Sequence, residues 1–272
     1  MPELPILGAA MRIAALELHG DWLRSLPRPL ELQDFVEAAV LEGDFSTAVA
    51  EVKRLLDGHE GPLGIHGPFR GLPLASPDHG IRTIVATRLA QALDVAEALG
   101  ATQIVIHSPY TTWMHNNLDQ QPGQRDAVID FTRLTLDAAL KRAEGAGIGF
   151  VLENIEDKDP ADRRRMVEAI ASPALRLSLD TGHAAYAHGS TGAPPVDYYV
   201  RDAGALLQHV HLQDADGYAD RHWSLGRGSL PWHAIFAALG DTGRKARLII
   251  EIRDKDLIED SARHLTDLGL AR

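Results

Sequence analysis

Six short apolar segments of this chain each end in a histidine or an acid, and these end residues are the ones that could do chemistry. The segments are PLGIHGPF (62–69), QIVIHSPY (103–110), GFVLENIED (149–157), LRLSLDTGH (175–183), LQHVHLQDAD (207–216) and ARLIIEIRD (246–254). Asp220 and His222 follow the fifth segment in the sequence DRHW. The chain has 13 histidines and no cysteine, so any metal must be held by nitrogen and oxygen atoms.

The segment ends define a set of candidate metal ligands. They are His66, His107, Glu153, Asp180, His183, His211, Asp220, His222 and Glu251. His209 and His211 are two residues apart and face the same side of a strand, with His209 one layer deeper as a packing or supporting residue. One ion takes about four to six ligands, so this set allows between one and three divalent ions. Zinc and manganese suit such ligands, as do iron and cobalt.

Two kinds of chemistry are open to such a set. A single ion would polarise a carbonyl and an adjacent hydroxyl, with Glu153 and Glu251 flanking the substrate as acid and base. Two or three ions would instead clamp the attacking and leaving oxygens of a hydrolysis. The residues predicted to contact the substrate are the aromatic and cationic ones near the segment ends, namely Phe69, Arg70, Tyr110, Trp113, Lys158, Trp223 and Arg227.

The elements that position these residues alternate between strand and helix. Strands are predicted at 5–10, 30–35, 62–67, 103–108, 148–154, 175–180, 207–212 and 246–252, and the clearest helices at 81–99, 125–143, 161–171 and 257–269. Because polar residues end strands along the whole chain, we predict one α/β domain over residues 1–272. It is a closed (β/α)8 TIM barrel with its active site at the C-terminal ends of the strands. A doubly wound open sheet, which gathers ligands at one switch point, is the alternative. Segments 110–124 and 184–196 are candidate lid loops.

Composition limits the partners and the location. The net charge is −11 with no block of lysines or arginines, which argues against a nucleic-acid partner and favours a small-molecule substrate. No apolar run is long enough for a membrane span. The N-terminal segment has no basic leader before an apolar stretch, so we expect no signal peptide and a cytoplasmic protein. The oligomeric state is left open.

From about residue 62 to 254 the chain resembles the xylose-isomerase-like barrel superfamily, which joins sugar isomerases and epimerases to the endonuclease IV family. The resemblance to ketose 3-epimerases implies one divalent ion on Glu153, Asp180, His211 and Glu251, with the two glutamates exchanging the proton. It also implies a substrate-binding role for His183, which makes Glu153, Glu251 and His183 the catalytic candidates. That branch usually places an arginine six residues after the His211 position, where this chain has Gly217.

The resemblance to endonuclease IV implies three zinc ions on all nine candidate ligands. DRHWSLGRG (220–228) resembles that family's motif, with Trp223 and Arg227 as departures. The loop after strand two should then carry basic and aromatic residues that enter the duplex, but here it reads QDFVEAAVLEGD (33–44).

We therefore predict a divalent-metal-dependent isomerase or epimerase of a small sugar or polyol-like substrate. It would act by proton transfer next to a metal-bound carbonyl. The alternative is a multinuclear zinc hydrolase of endonuclease IV type, cutting a phosphodiester at an abasic site or a small molecule. A non-catalytic barrel that binds metal or sugar is the third possibility.

Overall fold

The structure, a computed structural model, describes residues 4–243 and 245–272, and these form a closed barrel of eight parallel strands. The strands are β1 (Leu7–Met11), β2 (Leu30–Leu32), β3 (Leu63–His66), β4 (Gln103–His107), β5 (Gly149–Glu153), β6 (Leu175–Asp180), β7 (Leu207–Leu212) and β8 (Arg247–Ile250). They pair in sequence order, and β8 pairs with β1 to close the barrel. The predicted (β/α)8 barrel is confirmed.

Helices connect successive strands and cover the barrel. They are α1 (Gly20–Arg24), α2 (Ala38–Glu42), α3 (Ser46–Leu55), α4 (His79–Leu99), α5 (Thr112–Asn117), α6 (Gln124–Ala146), α7 (Pro160–Ile170), α8 (Thr181–Thr191), α9 (Val196–Ala203), α10 (Trp232–Asp241) and α11 (Ile258–Asp267). Short 3₁₀ turns occupy Ile13–Ala15, Asp34–Val36, Gly204–Leu206 and Lys255–Leu257. In the described part of the chain no helix combines the length and apolarity that crossing a bilayer requires.

Local sequence signals explain where the longer helices begin and end. The Asp78 side chain accepts hydrogen bonds from the amides of Gly80 and Ile81 at the start of α4. The same helix ends at Gly100, whose φ of 70° is readily adopted only without a side chain. At α7, Asp159 caps the first turn and Pro160 follows it, where a missing amide hydrogen costs nothing. These capping residues define where α4 and α7 begin and where α4 ends.

Strand register sets the candidate ligands at one height. Residues His107 of β4 and Glu153 of β5 are partners in the sheet, and so are Asp180 of β6 and His211 of β7. Each of these residues lies at or near the C-terminal end of its strand. Side chains from four neighbouring strands are therefore delivered to the same mouth of the barrel.

The expectation of a loop at 184–196 is wrong for most of that segment. Helix α8 begins at Thr181, directly after β6, because the Asp180 side chain accepts a hydrogen bond from the His183 amide and caps the helix. The segment 110–124 likewise contains α5. His115 and His188 lie within α5 and α8. They contact Asp162 at 2.8 Å and the Ala193 carbonyl at 2.6 Å.

Candidate metal centre

The nine candidate ligands meet at the C-terminal end of the barrel and form three clusters, each with donor atoms within 4.8 Å of one another. The central cluster is Glu153, Asp180, His211 and Glu251, the His66 cluster is His66, His107 and Glu153, and the His183 cluster is His183, Asp220 and His222. Glu153 belongs to two of the clusters, so it joins the central cluster to the His66 cluster. The grouping shows that residues far apart in the chain converge on one site.

Distances between donor atoms fit a small divalent ion. In the His66 cluster, His107 Nε2 lies 3.4 Å from both His66 Nε2 and Glu153 Oε2. In the His183 cluster, Asp220 Oδ1 lies 3.5 Å from His183 Nε2 and 3.1 Å from His222 Nε2. Ligands about 2.0–2.1 Å from a tetrahedral zinc ion are about 3.3 Å apart, so both clusters have the dimensions of a zinc site.

One carboxylate oxygen supports this fit independently. Glu153 Oε2 is buried and has no hydrogen-bond partner among the described residues. It faces the Nε2 atoms of His107 and His66 at 3.4 and 3.7 Å. Buried polar atoms are nearly always satisfied, and an unpaired one indicates an ion or water that completes it. The oxygen and two imidazole nitrogens therefore fit a divalent cation such as zinc or manganese.

Backbone carbonyls fix the orientation of three candidate ligand histidines. The Nδ1 atoms of His66, His183 and His222 donate to the carbonyls of Gly67, Asn154 and Glu251 at 2.9, 2.9 and 3.0 Å. Because Nδ1 carries the proton in that arrangement, the neutral ring presents its Nε2 lone pair to the cluster. Metal-binding histidines are held in this way by a second partner.

His211 is held by a carboxylate that the sequence analysis missed. Its Nδ1 faces the central cluster, 2.7 Å from Glu153 Oε1 and 3.2 Å from Glu251 Oε2. Its Nε2 lies 3.1 Å from both oxygens of Glu31, a buried residue of β2. Glu31 therefore orients the ring from behind, as carboxylates commonly do for metal-bound histidines. The only local signal was an acid between two leucines in LEL (30–32).

His209 lies one layer below His211, where the sequence analysis expected a supporting residue. Its Nε2 is 3.3 Å from Glu31 Oε2, and its Nδ1 is 2.8 Å from Ser178 Oγ. Ser178, His209, Glu31 and His211 thus form one buried polar chain through the barrel interior. This chain leaves His211 little freedom to rotate.

Gln213 is a second residue that the sequence analysis missed. Its Nε2 lies 3.1 Å from Asp180 Oδ1 and 3.1 Å from Asp220 Oδ1, and its Oε1 accepts a 2.6 Å hydrogen bond from the His222 amide. It therefore connects the central cluster to the His183 cluster. The close approach requires Gly182, because a Cβ there would lie 2.2 Å from the Gln213 side chain.

Backbone strain is present at His222. Its φ is 48°, a left-handed conformation that is uncommon for residues other than glycine. The contact of its amide with Gln213, the hydrogen bond from its ring to Glu251 and a 2.8 Å bond from the Arg253 amide to its carbonyl hold it there. Such strain persists where surrounding contacts enforce it and is concentrated at functional sites. Here it turns the ring towards Asp220.

Burial raises the pKa of two acids of the central cluster, but the neighbouring histidines oppose it to different extents. Burial raises the pKa of Asp180 to about 6, although the nearby His183 opposes the shift. Burial also favours the protonated form of Glu153, but His211, His66 and His107 outweigh it and hold the pKa of Glu153 well below its usual range. Glu153 is therefore an ionised carboxylate surrounded by imidazoles, which is the form that can bind a metal.

Burial lowers the pKa of the histidines, because it disfavours their charged form, and nearby acids oppose this shift. Burial lowers the pKa of His107 to about 3, so its ring is neutral and able to bind a metal. Burial disfavours the charged forms of His183 and His211 too, but neighbouring carboxylates outweigh it and raise both pKa values well above 6.5. The pKa of His222 is raised to about 9 by Asp220 and Glu251 against burial. The carboxylates therefore favour the protonated forms of His183, His211 and His222.

Two of the four predicted aromatic substrate contacts lie beside the His66 cluster or in the core. The Phe69 ring stacks on His107, with centroids 4.0 Å apart, and approaches His66 at 5.1 Å. Tyr110 is buried. Trp113 projects into solvent with 74% of its surface exposed, so in this conformation it forms no wall of the site. Phe69 is thus the aromatic residue placed to cover a cluster.

The predicted cationic contacts lie around the mouth and are engaged by the protein itself. Arg70 lies 5.7 Å from the Phe69 ring centre and 3.7 Å from Glu37, and Lys158 donates to the Asn116 side chain at 2.9 Å. The exposed Arg227 and the half-buried Arg221 lie 4.8 and 5.2 Å from the Trp223 ring. None of these contacts involves a residue of the central cluster.

Two further positions bear on the sequence analysis. Gly217, where ketose 3-epimerases usually carry an arginine, has a φ of 73°, which a side chain rarely adopts. Asp157, the last residue of the segment GFVLENIED (149–157), is not a solvent-exposed loop charge. It is buried, accepts a 2.8 Å hydrogen bond from Ser108 and lies 3.4 Å from the buried Arg163 guanidinium. Arg163 also donates to the Leu152 carbonyl, which stabilises the end of β5.

Comparison with known proteins agrees with this architecture. Residues 29–268 match the model of the xylose isomerase-like TIM barrel family. The chain belongs to this family. An uncharacterised protein of Methanocaldococcus jannaschii is 25% identical over 229 residues, covering 80% of this chain and 74% of that protein. The D-psicose 3-epimerase of Ruminiclostridium cellulolyticum is 27% identical over 217 residues, covering 75% of this chain and 67% of the enzyme. Relatives of this family member thus include sugar epimerases.

A solved structure extends the likeness over nearly the whole chain. The TTHB071 protein from Thermus thermophilus, in crystals soaked with zinc chloride, is 29% identical with a TM-score of 0.73. The alignment covers 98% of this chain and 99% of that protein. The family member described here therefore shares its entire barrel with a protein whose crystals have been exposed to zinc.

Proposed function

We propose that this family member is a divalent-metal-dependent isomerase or epimerase of a small sugar or polyol-like substrate. The central cluster carries the proposal. Glu153 Oε1 and Glu251 Oε2 reach the same nitrogen of His211, at 2.7 and 3.2 Å, from strands β5 and β8. Two carboxylates beside one metal position can take a proton from a substrate carbon and return one to it. Relatives that are sugar epimerases support the same class of reaction.

The two glutamates differ in what they can do. Glu251 has 10% of its side chain exposed and Glu153 has 1%, so Glu251 is the more accessible to a substrate entering the mouth. We assign Glu251 to take the proton and Glu153 to return it. A bound divalent ion would polarise the substrate carbonyl and make the neighbouring carbon more acidic. Asp180 and His211 complete the set that would hold this ion.

A small substrate is supported by the segment after β2. Phe35 is buried there, and the Asp34 carboxylate accepts a 2.8 Å hydrogen bond from the Ile13 amide, so the segment packs against the barrel. Its acids Glu37 and Glu42 form ion pairs with Arg70 and Arg88. A surface that binds a phosphate backbone is rich in basic residues instead. The proposed substrate is therefore a small molecule, with nucleic acid the less favoured partner.

Hydrolysis is the second candidate, and the two outer clusters favour it. The His66 and His183 clusters contain five residues that would not bind metal in an enzyme using one ion on the central cluster, namely His66, His107, His183, Asp220 and His222. The spacing of donor atoms in these two clusters suits one ion in each, in addition to an ion in the central cluster. Multinuclear zinc sites stabilise attacking and leaving oxygens in phosphodiester hydrolysis.

Metal content and solvent hydrogen exchange test the proposal together. The purified protein would be analysed for metals and then incubated with a panel of ketoses in deuterium oxide. An epimerase incorporates deuterium at the carbon next to the carbonyl, which proton nuclear magnetic resonance detects even before the product is known. Glu251→Gln should abolish exchange without unfolding the protein. Activity surviving in this variant would contradict the role of Glu251.

The opposite outcome is equally specific. About three zinc ions per chain, with no exchange on any ketose and incision of an oligonucleotide with an abasic site, would replace the epimerase proposal by the hydrolase. Three ions without incision would favour hydrolysis of a small molecule.

A further inference from the structure

Gln33, the first residue after β2, lies between a central-cluster acid and a lysine. Its Nε2 donates to Glu251 Oε1 at 2.5 Å. Its Oε1 accepts from Lys255 Nζ at 3.1 Å. Lys255 begins the 3₁₀ turn that follows β8, so the contacts join the ends of two strands that are distant in sequence but close in the barrel.

The chemistry of the three groups allows only one orientation of the amide. A lysine ammonium can only donate hydrogen bonds, and an ionised carboxylate can only accept them. The Gln33 oxygen must therefore face Lys255 and its nitrogen must face Glu251. A flipped amide would set two donors against each other at Lys255 and two acceptors against each other at Glu251. The lysine thus decides which end of Gln33 reaches the acid.

Both ends of this arrangement are anchored to β1. Lys255 Nζ donates to the Ala10 carbonyl at 2.8 Å, and the backbone N–H of Gln33 donates to the Met11 carbonyl at 3.0 Å. Lys255 is only partly exposed, although it carries an ammonium group. A surface lysine held only by solvent would not be fixed in this way. Burial of its charge is offset by contacts that also point Gln33 at Glu251.

The arrangement divides the two oxygens of Glu251 between different tasks. Oε1 is taken by Gln33, whereas Oε2 faces His211 Nδ1 at 3.2 Å. A neutral amide holds the carboxylate without forming the tight ion pair that a direct lysine contact would make. Oε1 of Glu251 is therefore bound by a neutral group, and Oε2 is left facing the central cluster.

We propose that Gln33 and Lys255 are positioning residues that hold Glu251 in the orientation needed for metal binding and proton transfer. Lys255 acts through Gln33, and Gln33 acts through Glu251. The part concerning proton transfer rests on the proposed function, whereas the part concerning metal binding does not.

Cobalt binding by the full-length protein tests the metal part. Competitive Co²⁺ titrations, followed by visible absorption, would compare Gln33→Leu, Lys255→Met and the double variant with the unaltered protein. Loss of a supporting partner typically weakens metal binding about 10- to 100-fold, and we expect this for each single variant. Because Lys255 acts through Gln33, the double variant should bind no more weakly than Gln33→Leu. Lys141→Met removes a lysine that is exposed on α6 and pairs with Asp137, and should change nothing.

The results separate positioning from a general loss of stability. Lys255→Arg keeps a hydrogen-bond donor and should retain most of the Co²⁺ affinity that Lys255→Met loses. A variant that merely destabilised the barrel would also weaken Co²⁺ binding at the His183 cluster. Unchanged cobalt affinity in both single variants would overturn the proposal, and so would losses that multiply in the double variant. With a substrate in hand, kcat should fall and KM change little. If the unaltered protein exchanges no sugar proton, the proposed reaction fails, but the cobalt result still stands by itself.

Discussion

If all three clusters bind an ion, replacing Glu153 by glutamine should remove two of these ions from each chain rather than one. Its Oε1 lies 2.7 Å from His211 in the central cluster, and its Oε2 faces His66 and His107 in the neighbouring cluster. Glutamine preserves the size of the side chain but removes the charge that both positions share. The His183 cluster contains no atom of Glu153 and should keep its ion.

The size of the loss can be worked from the number of ligands. A four-ligand zinc site binds with about 12 kcal/mol, so one ligand contributes about 3 kcal/mol on average. At about 1.4 kcal/mol per tenfold change, affinity should fall about 100-fold at each affected cluster. The His66 cluster would retain only two protein ligands, His66 and His107. It should therefore empty at a lower chelator concentration than the central cluster.

Dialysis against a zinc buffer of fixed free concentration, followed by elemental analysis, measures the outcome. If the unaltered protein binds about three ions, Glu153→Gln should retain about one. Asp220→Asn is the matched control, because it removes one carboxylate that belongs to a single cluster, and it should retain about two. Equal losses in the two variants would refute the reasoning that Glu153 is shared. Circular dichroism would verify that both variants are folded.

Individual contacts lead to three further predictions. Glu31→Gln should weaken Co²⁺ binding about 10- to 100-fold in a spectroscopic titration, because His211 loses the carboxylate behind its ring; an unchanged affinity would exclude that role. Gly182→Ala should lower the free energy of unfolding in urea by about 1–2 kcal/mol, since its Cβ would lie 2.2 Å from Gln213. Gly145→Ala, with open space around it, should instead raise this free energy by about 0.5–1 kcal/mol. Zinc binding near pH 7.5 should release protons, because carboxylates raise the pKa of both histidines in the His183 cluster. Affinity should therefore rise with pH, and a binding enthalpy independent of the buffer would contradict this.

The barrel could be predicted because parallel strands buried on both faces are continuously apolar. The segments QIVIH (103–107) and GFVLE (149–153) are strands within the expected ranges. The start of α8 could not be predicted, because Asp180 is both a candidate ligand and a helix cap. A side chain with two roles gives the same sequence signal for a loop and for a helix. Tertiary contacts decide between them.

The strand-end ligands could be named from the sequence, whereas the residues that support them could not. Glu31 contacts His211 across 180 positions of the chain, and Gln33 contacts Glu251 across 218. Neither contact has a local pattern, since both arise only when β8 pairs with β1 and closes the barrel. Gln213 is one residue past β7 and looked like an ordinary loop amide. Its role depends on Gly182 leaving room for it.

Supporting hydrogen bonds also connect the three clusters. His183 is held by the carbonyl of Asn154, the residue after Glu153, and His222 is held by the carbonyl of Glu251. A shift at the end of β5 or β8 would therefore move a ligand in one cluster and a supporting bond in another. The three clusters are best regarded as one connected site.

The role of the outer histidines decides which experiment comes first. In the epimerase proposal, the outer histidines would offer their Nε2 atoms to substrate hydroxyls, and in a hydrolase the same atoms would hold ions. Donors only 3.1–3.5 Å apart in the His183 cluster suit a small cation better than a hydroxyl group, which favours testing metal content first. The number of ions per chain then selects the class of reaction to be screened, before any individual sugar or phosphodiester is tried.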